Sequence, residues 1–180
     1  MSDTHLELKY FGEIIRGKNI SSKELNKKGH LLYLTGKNIQ DDCLIVNEKS
    51  RYTDLGITSE DKENNIYFNA VLQPGDIIVS ALWKDRKVYQ IKESDPRSIC
   101  SGNYIIIRSK KNNYLMKYLS VPDLRADFNS QCSQKLRGSV IPFLSTKDFS
   151  DINIQNISIK EILTKLDKAK EELLEKDTII

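Results

Sequence analysis

Short apolar runs separated by polar turns fill the first 110 residues of the chain. LLYL at 31–34 and CLIV at 43–46 predict short strands, the second after the turn-forming Asp41-Asp42. The run 76–82, opened by Pro74-Gly75, predicts a buried strand, with 88–91 as its neighbour across a charged turn. A further β-branched run, 105–108, follows Ser101-Gly102-Asn103. The period then changes. Tyr114, Leu115, Tyr118 and Leu119 share one face of a helix, which Pro122 ends or restarts, and Asp123 predicts the cap of a second short helix through Phe128. Residues 139–144 return to a strand pattern.

The C-terminal segment carries the strongest local signal. Ser158 and Glu161 form an S-x-x-E capping box, in which each side chain accepts a hydrogen bond from the other residue's orphan backbone N–H. Behind it, Ile159, Ile162, Leu166, Ala169 and Leu173 recur at 3, 4, 3, 4 spacing, with Lys and Glu at most remaining positions. So narrow a stripe suits one partner helix, or the same helix folded back on its own domain. The pattern as a whole predicts an α+β fold: a twisted, mostly antiparallel sheet with short helices, followed by an amphipathic C-terminal helix. The 180 residues divide into a domain at 1–157 and a spacer or dimerisation helix at 158–180.

Composition narrows the function. At 39% hydrophobic and 29% charged the chain belongs with folded globular proteins. No apolar run approaches the roughly 20 residues of a membrane span, and the first thirty residues carry charges throughout with no signal-type apolar stretch, so a cytoplasmic location is expected. Cys43, Cys100 and Cys132 have no ligand spacing and read as unpaired thiols of a reducing compartment. The net charge of +3 is mild, but its distribution is uneven. Residues 41–76 hold eight acids and three bases, and residues 81–111 hold eight bases and three acids. That contrast suits one face made for a polyanion, or ordinary surface charge that mixes once the chain folds.

No catalytic apparatus is legible. His5 and His30 lie in no metal or triad pattern, and neither GxxxxGK[ST] nor GxGxxG occurs. The Asn/Asp-Pro-Pro-aromatic signature of an amino-methyltransferase is also missing. Asp76 with Gln90-Ile91-Lys92 loosely mimics a metal-dependent nuclease, but a Gln stands where a second Mg²⁺-binding carboxylate is needed. Asp76 reads instead as a turn residue before a strand. A non-catalytic binding module is expected, with no cofactor and no metal.

Six segments in order carry a family resemblance: GEIIRGKNIS (12–21), LLYLTGKNIQDD (31–42), LQPGDIIVSALW (72–83), SGNYIIIRS (101–109), LRGSVIPFLSTKDFSDINI (136–154) and IKEILTKLDKAKEELLEK (159–176). Together they resemble the target recognition domain of type I restriction-modification specificity subunits, in a single-domain, half-size form. INIQNIS stands where the family closes on Ile-x-Ile-Pro-x-Pro. A full subunit has two such domains and two long helices. This chain therefore matches a half-subunit that pairs with itself, a domain from a larger protein, or an orphan that acts differently.

The resemblance implies sequence-specific recognition of double-stranded DNA on behalf of N6-adenine methyltransferase (modification) subunits and a restriction subunit. It also implies a homodimer through the C-terminal helix face of Ile159, Ile162, Leu166, Ala169 and Leu173. Lys and Arg along a duplex neutralise phosphates, while Arg, Lys, Asn and Gln read base edges. The expected contacts are the loop residues Arg16, Lys18, Asn19, Lys37, Asn38 and Gln40, the turn residues Lys84, Arg86 and Lys87, and Gln134, Lys135 and Arg137. Trp83, the sole Trp, either stacks on DNA or braces the basic turn. The alternative is a protein module that occupies the modification subunits and modulates the complex without reading DNA.

Overall fold

A computed structural model of the chain describes residues 5–40, 43–57, 65–82, 87–109, 112–139 and 141–177. The strands are β1 (His5–Glu7), β2 (Glu13–Arg16), β3 (Leu31–Leu34), β4 (Ile39–Gln40), β5 (Cys43–Leu44), β6 (Tyr52–Thr53), β7 (Ile77–Ser80), β8 (Val88–Gln90), β9 (Ser98–Cys100) and β10 (Tyr104–Arg108). Helices α1 (Asn112–Ser120), α2 (Pro122–Gln134) and α3 (Thr146–Ser150) follow, then β11 (Asn153–Gln155) and α4 (Ile159–Asp177). This is the α+β arrangement expected, with six of the seven strand pairings antiparallel among the described residues.

The centre is a four-stranded sheet in the order β2-β10-β7-β8. Its two middle strands are apolar without alternation because both faces are covered. Ile77, Val79, Ile105 and Ile107 face the core shared with α1, α2 and α4, while Ile78 and Ile106 face Leu34, Ile39, Leu72 and Ile91 on the other side. Each of these buried aliphatic side chains contributes roughly 1.5–3 kcal/mol. A third cluster, Ile20, Leu31, Ile57, Ala70 and Ile99, underlies the smaller sheet β6-β3-β9, in which β3 and β9 run parallel.

Asp76 holds the turn before β7. Its carboxylate accepts from the Gln73 N–H at 2.9 Å and pairs with the Arg108 guanidinium at 2.8 Å, and Arg108 also donates to the Val71 carbonyl at 2.8 Å. Asp76 is 2% exposed. Its job is structural, as the turn reading expected.

The ends of the domain meet through β1 and β11, which pair antiparallel. The Tyr114 hydroxyl of α1 donates toward the Gln155 and Ile157 carbonyls at 3.1 and 3.0 Å, fastening the start of α4 to the helical layer. Cys100 and Cys132 are buried and Cys43 is exposed, and none of the three forms a disulfide. No helix of the described residues is long and apolar enough to cross a membrane.

Three local expectations change. Pro122 opens α2 at its first turn, where its missing N–H costs nothing, so Val121 rather than Asp123 is the cap, and the helix runs two turns beyond Phe128 to Gln134. The strand expected at 139–144 is a hairpin of bridges, with Arg137 and Leu82 both opposite Phe143 and Gly138 at φ +94°. Pro142 cannot donate to a ladder, and Gly138 takes a backbone turn that L residues resist. At 43–46 the strand stops at Leu44.

Candidate nucleic-acid interface

Antiparallel pairing brings four strand ends to one edge of the central sheet: the end of β2, the start of β10, the end of β7 and the start of β8. The segments leaving that edge are tied together by backbone hydrogen bonds. The Gly17 N–H donates to the Tyr104 carbonyl, Lys18 N–H to Cys100, Ala81 N–H to Asn103 and Leu144 N–H to Ala81, all at 2.8–3.0 Å. Gly17 is required here because a Cβ would collide with the Ser101 carbonyl. This framework gathers Lys18, Asn19, Lys87 and the 101–103 turn, with Arg137 joined through the Phe143 bridge. A bond from Lys87 Nζ to the Gly36 carbonyl at 2.9 Å adds Lys37, Asn38 and Gln40.

Not every expected contact faces outward. The Arg16 guanidinium is half-buried, donating to the Gly102 carbonyl at 2.5 Å and the Leu144 carbonyl at 2.7 Å. Burial works against its charge and lowers its pKa from the ordinary arginine value. It pins two rim loops to β2. Asn38 is 5% exposed, and its amide is satisfied on both sides: Oδ1 accepts from the Thr35 N–H at 3.1 Å and hydroxyl at 3.0 Å, while Nδ2 donates to the Ile45 carbonyl at 3.1 Å and Ser50 Oγ at 3.2 Å. No donor or acceptor remains for a base edge. Asn19 is exposed, with Oδ1 accepting from the Gly102 N–H at 3.1 Å.

Lys18, Lys37 and Gln40 are exposed. Gln134 is exposed at the end of α2, and the half-buried Lys135 follows it. Arg137 is 64% exposed and pairs with Asp148 at 2.7 Å. That partner, with the Ser145 hydroxyl, holds the Asp148 carboxyl below the usual carboxylate range. Trp83, Lys84 and Arg86 lie outside the described residues, although Leu82 and Lys87, which flank them in sequence, sit on this rim.

Between the 36–40 and 47–51 segments runs an open groove of about 880 Å³. Its described lining includes four cations, Lys37, Lys49, Arg51 and Lys87, and four amides, Asn38, Gln40, Asn47 and Asn103, with no carboxylate. Lys49, Arg51, Asn47 and Asn103 were not singled out from the sequence. Lys49 and Arg51 sit inside the acid-rich stretch 41–76, where a net charge of −5 conceals them. The local string Asn47-Glu-Lys-Ser-Arg51, a polar turn with two bases, was the available signal.

Among the described residues no group of three His, Cys, Asp or Glu side chains is disposed to hold a metal. The 3, 4, 3, 4 stripe on α4 splits between two environments: Ile162 is fully buried in the domain core with Leu166 packed beside it, Ala169 is half-buried, and Ile159 and Leu173 are 48% and 60% exposed. Leu163 and Leu174, outside that stripe, are also exposed.

No family model and no curated protein matches the sequence. Solved structures do match its fold. One is a chain from work on complex assembly and conformational transition of the type I R-M system, with TM-score 0.63 at 14% identity over 98% of this chain and 40% of that one. Another is the HsdS subunit from Thermoanaerobacter tengcongensis, with TM-score 0.62 at 16% identity over 95% of this chain and 38% of that one. At these identities the likeness is one of fold, and the chain spans about two fifths of the length of the structures it matches.

Proposed function

We propose that this chain is a DNA-reading module, the target recognition domain of a non-catalytic specificity component in a cytoplasmic type I restriction-modification complex. The observation that carries the reading is the groove at one end of the central sheet, lined by four cations and, besides the committed Asn38, by the amides of Gln40, Asn47 and Asn103, with no carboxylate among its described residues. A duplex needs that pairing: cations for phosphates, whose neutralisation releases counterions, and amides or guanidiniums for base edges. The fold shared with HsdS supports the same reading.

In this account Lys18, Lys37, Lys87, Lys135 and Arg137 meet phosphates, while Asn19, Gln40 and Gln134 are the base-edge candidates. Trp83, Lys84 and Arg86, outside the described residues, are further proposed contacts from the segment between Leu82 and Lys87. Arg16 and Asn38 serve from behind, by fixing the loops that carry the readers.

The division at 157/158 makes α4 the spacer. Its exposed Ile159, Leu163, Leu173 and Leu174 offer a strip for a second copy of the chain. The partners proposed are double-stranded DNA, N6-adenine methyltransferase subunits, a restriction subunit and that second copy. A symmetric pair would read an inverted repeat, because the twofold of the protein is mirrored in its site. The same exposed strip favours a second reading, a module that occupies the modification subunits without reading DNA. Selection of bound duplexes from a random pool separates the two: a defined half-site supports DNA reading, and partner capture without sequence preference supports the alternative.

A further inference from the structure

The groove has two walls, and only one was expected from sequence. The second is the turn 47–51, and it is built rigidly. The Asn47 side chain accepts from the Lys49 N–H at 2.9 Å, the Ser50 Oγ accepts from the Asn47 N–H at 3.0 Å, and the Tyr33 N–H of β3 donates to the Arg51 carbonyl at 2.8 Å. Ser50, itself 5% exposed, is the residue to which the buried Asn38 amide donates. One satisfied amide thus locks the turn to the facing loop that carries Lys37 and Gln40. On this frame the Lys49 and Arg51 side chains stand exposed. Arg51 touches its own turn only through contacts of 3.4 and 3.3 Å to the Lys49 and Ser50 carbonyls, the weak end of hydrogen bonding.

Among the described residues, no acid in this stretch lines the groove beside these charges. Of the described acids in 41–76, Asp54 accepts from the His30 N–H in a separate hollow and Asp76 is paired with Arg108. Glu48 is exposed and outside the groove lining. Two cations held on a stiff turn, opposite a loop with its own lysine, suit a chain of phosphates better than a single small anion, because the groove is open and its cations stand on separate segments rather than around one point.

We infer that the 47–51 turn is a second phosphate-contact element, with Lys49 and Arg51 gripping the duplex backbone across the groove from Lys37. This rests on the DNA reading above and adds to it a wall that the basic loops do not include. Each phosphate neutralised contributes about 0.9 to the slope of log affinity against log salt. Replacing both residues (Lys49→Ala with Arg51→Ala) should therefore lower the slope by about 1.8. Between 50 and 200 mM salt, the affinity lost would be roughly twelvefold smaller than for the unaltered chain. Both side chains are exposed, so the variant keeps its core.

The experiment measures duplex affinity across a salt series for three proteins: the unaltered chain, the Lys49/Arg51 variant and a Lys18→Ala, Lys37→Ala variant. A lowered slope in the Lys49/Arg51 variant supports the inference. An unchanged slope there overturns it; if the Lys18/Lys37 variant still lowers the slope, the DNA reading survives without this wall. An unaltered chain that retains no duplex even at the lowest salt overturns the inference and the DNA reading together.

Discussion

Neutralising Asp76 should unfold this domain at lower denaturant, because its carboxylate is committed to the fold. The side chain is 2% exposed and the partner guanidinium 18% exposed, at 2.8 Å. Asp76→Asn keeps the size and one acceptor, but it places an amide donor against a guanidinium that has nothing to accept with. Breaking a buried pair by altering one member costs about 3–5 kcal/mol. Arg108 retains some solvent and its bond to the Val71 carbonyl, which points to the lower end, about 3 kcal/mol. With a urea dependence near 2 kcal/mol per molar, the unfolding midpoint should fall by about 1.5 M. Adding Arg108→Met should then cost far less than it does alone, with a coupling of about 2 kcal/mol in the double-mutant cycle. Equilibrium urea unfolding of the four proteins is the assay. A loss under about 1 kcal/mol for Asp76→Asn, or strictly additive losses, would refute the reasoning. A stabilised variant would do more: it would revive a metal-binding role, since carboxylates kept for chemistry are commonly held at a cost to the fold.

Two other predictions test the helix and the rim. Ile162→Ala should cost about 2–5 kcal/mol because it opens a cavity in the core, whereas Leu163→Ala should change stability by no more than about half a kcal/mol. Leu163→Asp should leave the domain folded and dissociate the proposed homodimer in sedimentation velocity, and a dimer that survives would put the interface elsewhere. The Asp148 carboxyl is held low chiefly by Arg137, so its contribution to stability is complete above the ordinary Asp pKa of about 3.9 and fades as pH falls through the depressed folded value. Urea unfolding of the unaltered chain should therefore weaken more between pH 5 and 3 than that of Arg137→Met, and parallel acid limbs would contradict the pairing.

Much of the fold was legible where local pattern and tertiary environment agree. The runs that became β7 and β10 are apolar throughout, which a strand covered on both faces demands. The Ser158–Glu161 box formed as expected, with the Ser158 N–H donating to Glu161 at 2.6 Å and the Glu161 N–H to Ser158 Oγ at 3.2 Å. The parallel pairing of β3 with β9 and the closure of β1 on β11 left no local trace, because residues distant in sequence create them. The end of α2 was missed because its last buried position is Cys132, one turn past Phe128 in an otherwise polar stretch.

At the candidate site, residue type proved a better guide to location than to availability. Arg16 and Asn38 belong to the rim loops, yet burial commits both to the protein's own backbone and hydroxyl groups. Lys49 and Arg51 escaped notice because charge summed over a long window cannot say that Asp54 and Asp76 are committed to other partners. On α4 the periodicity located the apolar stripe, but it could not say that Ile162 turns inward while Leu163 stays outside.

Selection of a DNA sequence is the property proposed for this chain. The direct measurement is to offer the purified protein a random duplex pool at several salt concentrations and sequence what it retains. A DNA reader should yield a defined half-site, with retention that falls steeply as salt rises. Retention with no sequence preference at any salt, or none at the lowest, would contradict that reading.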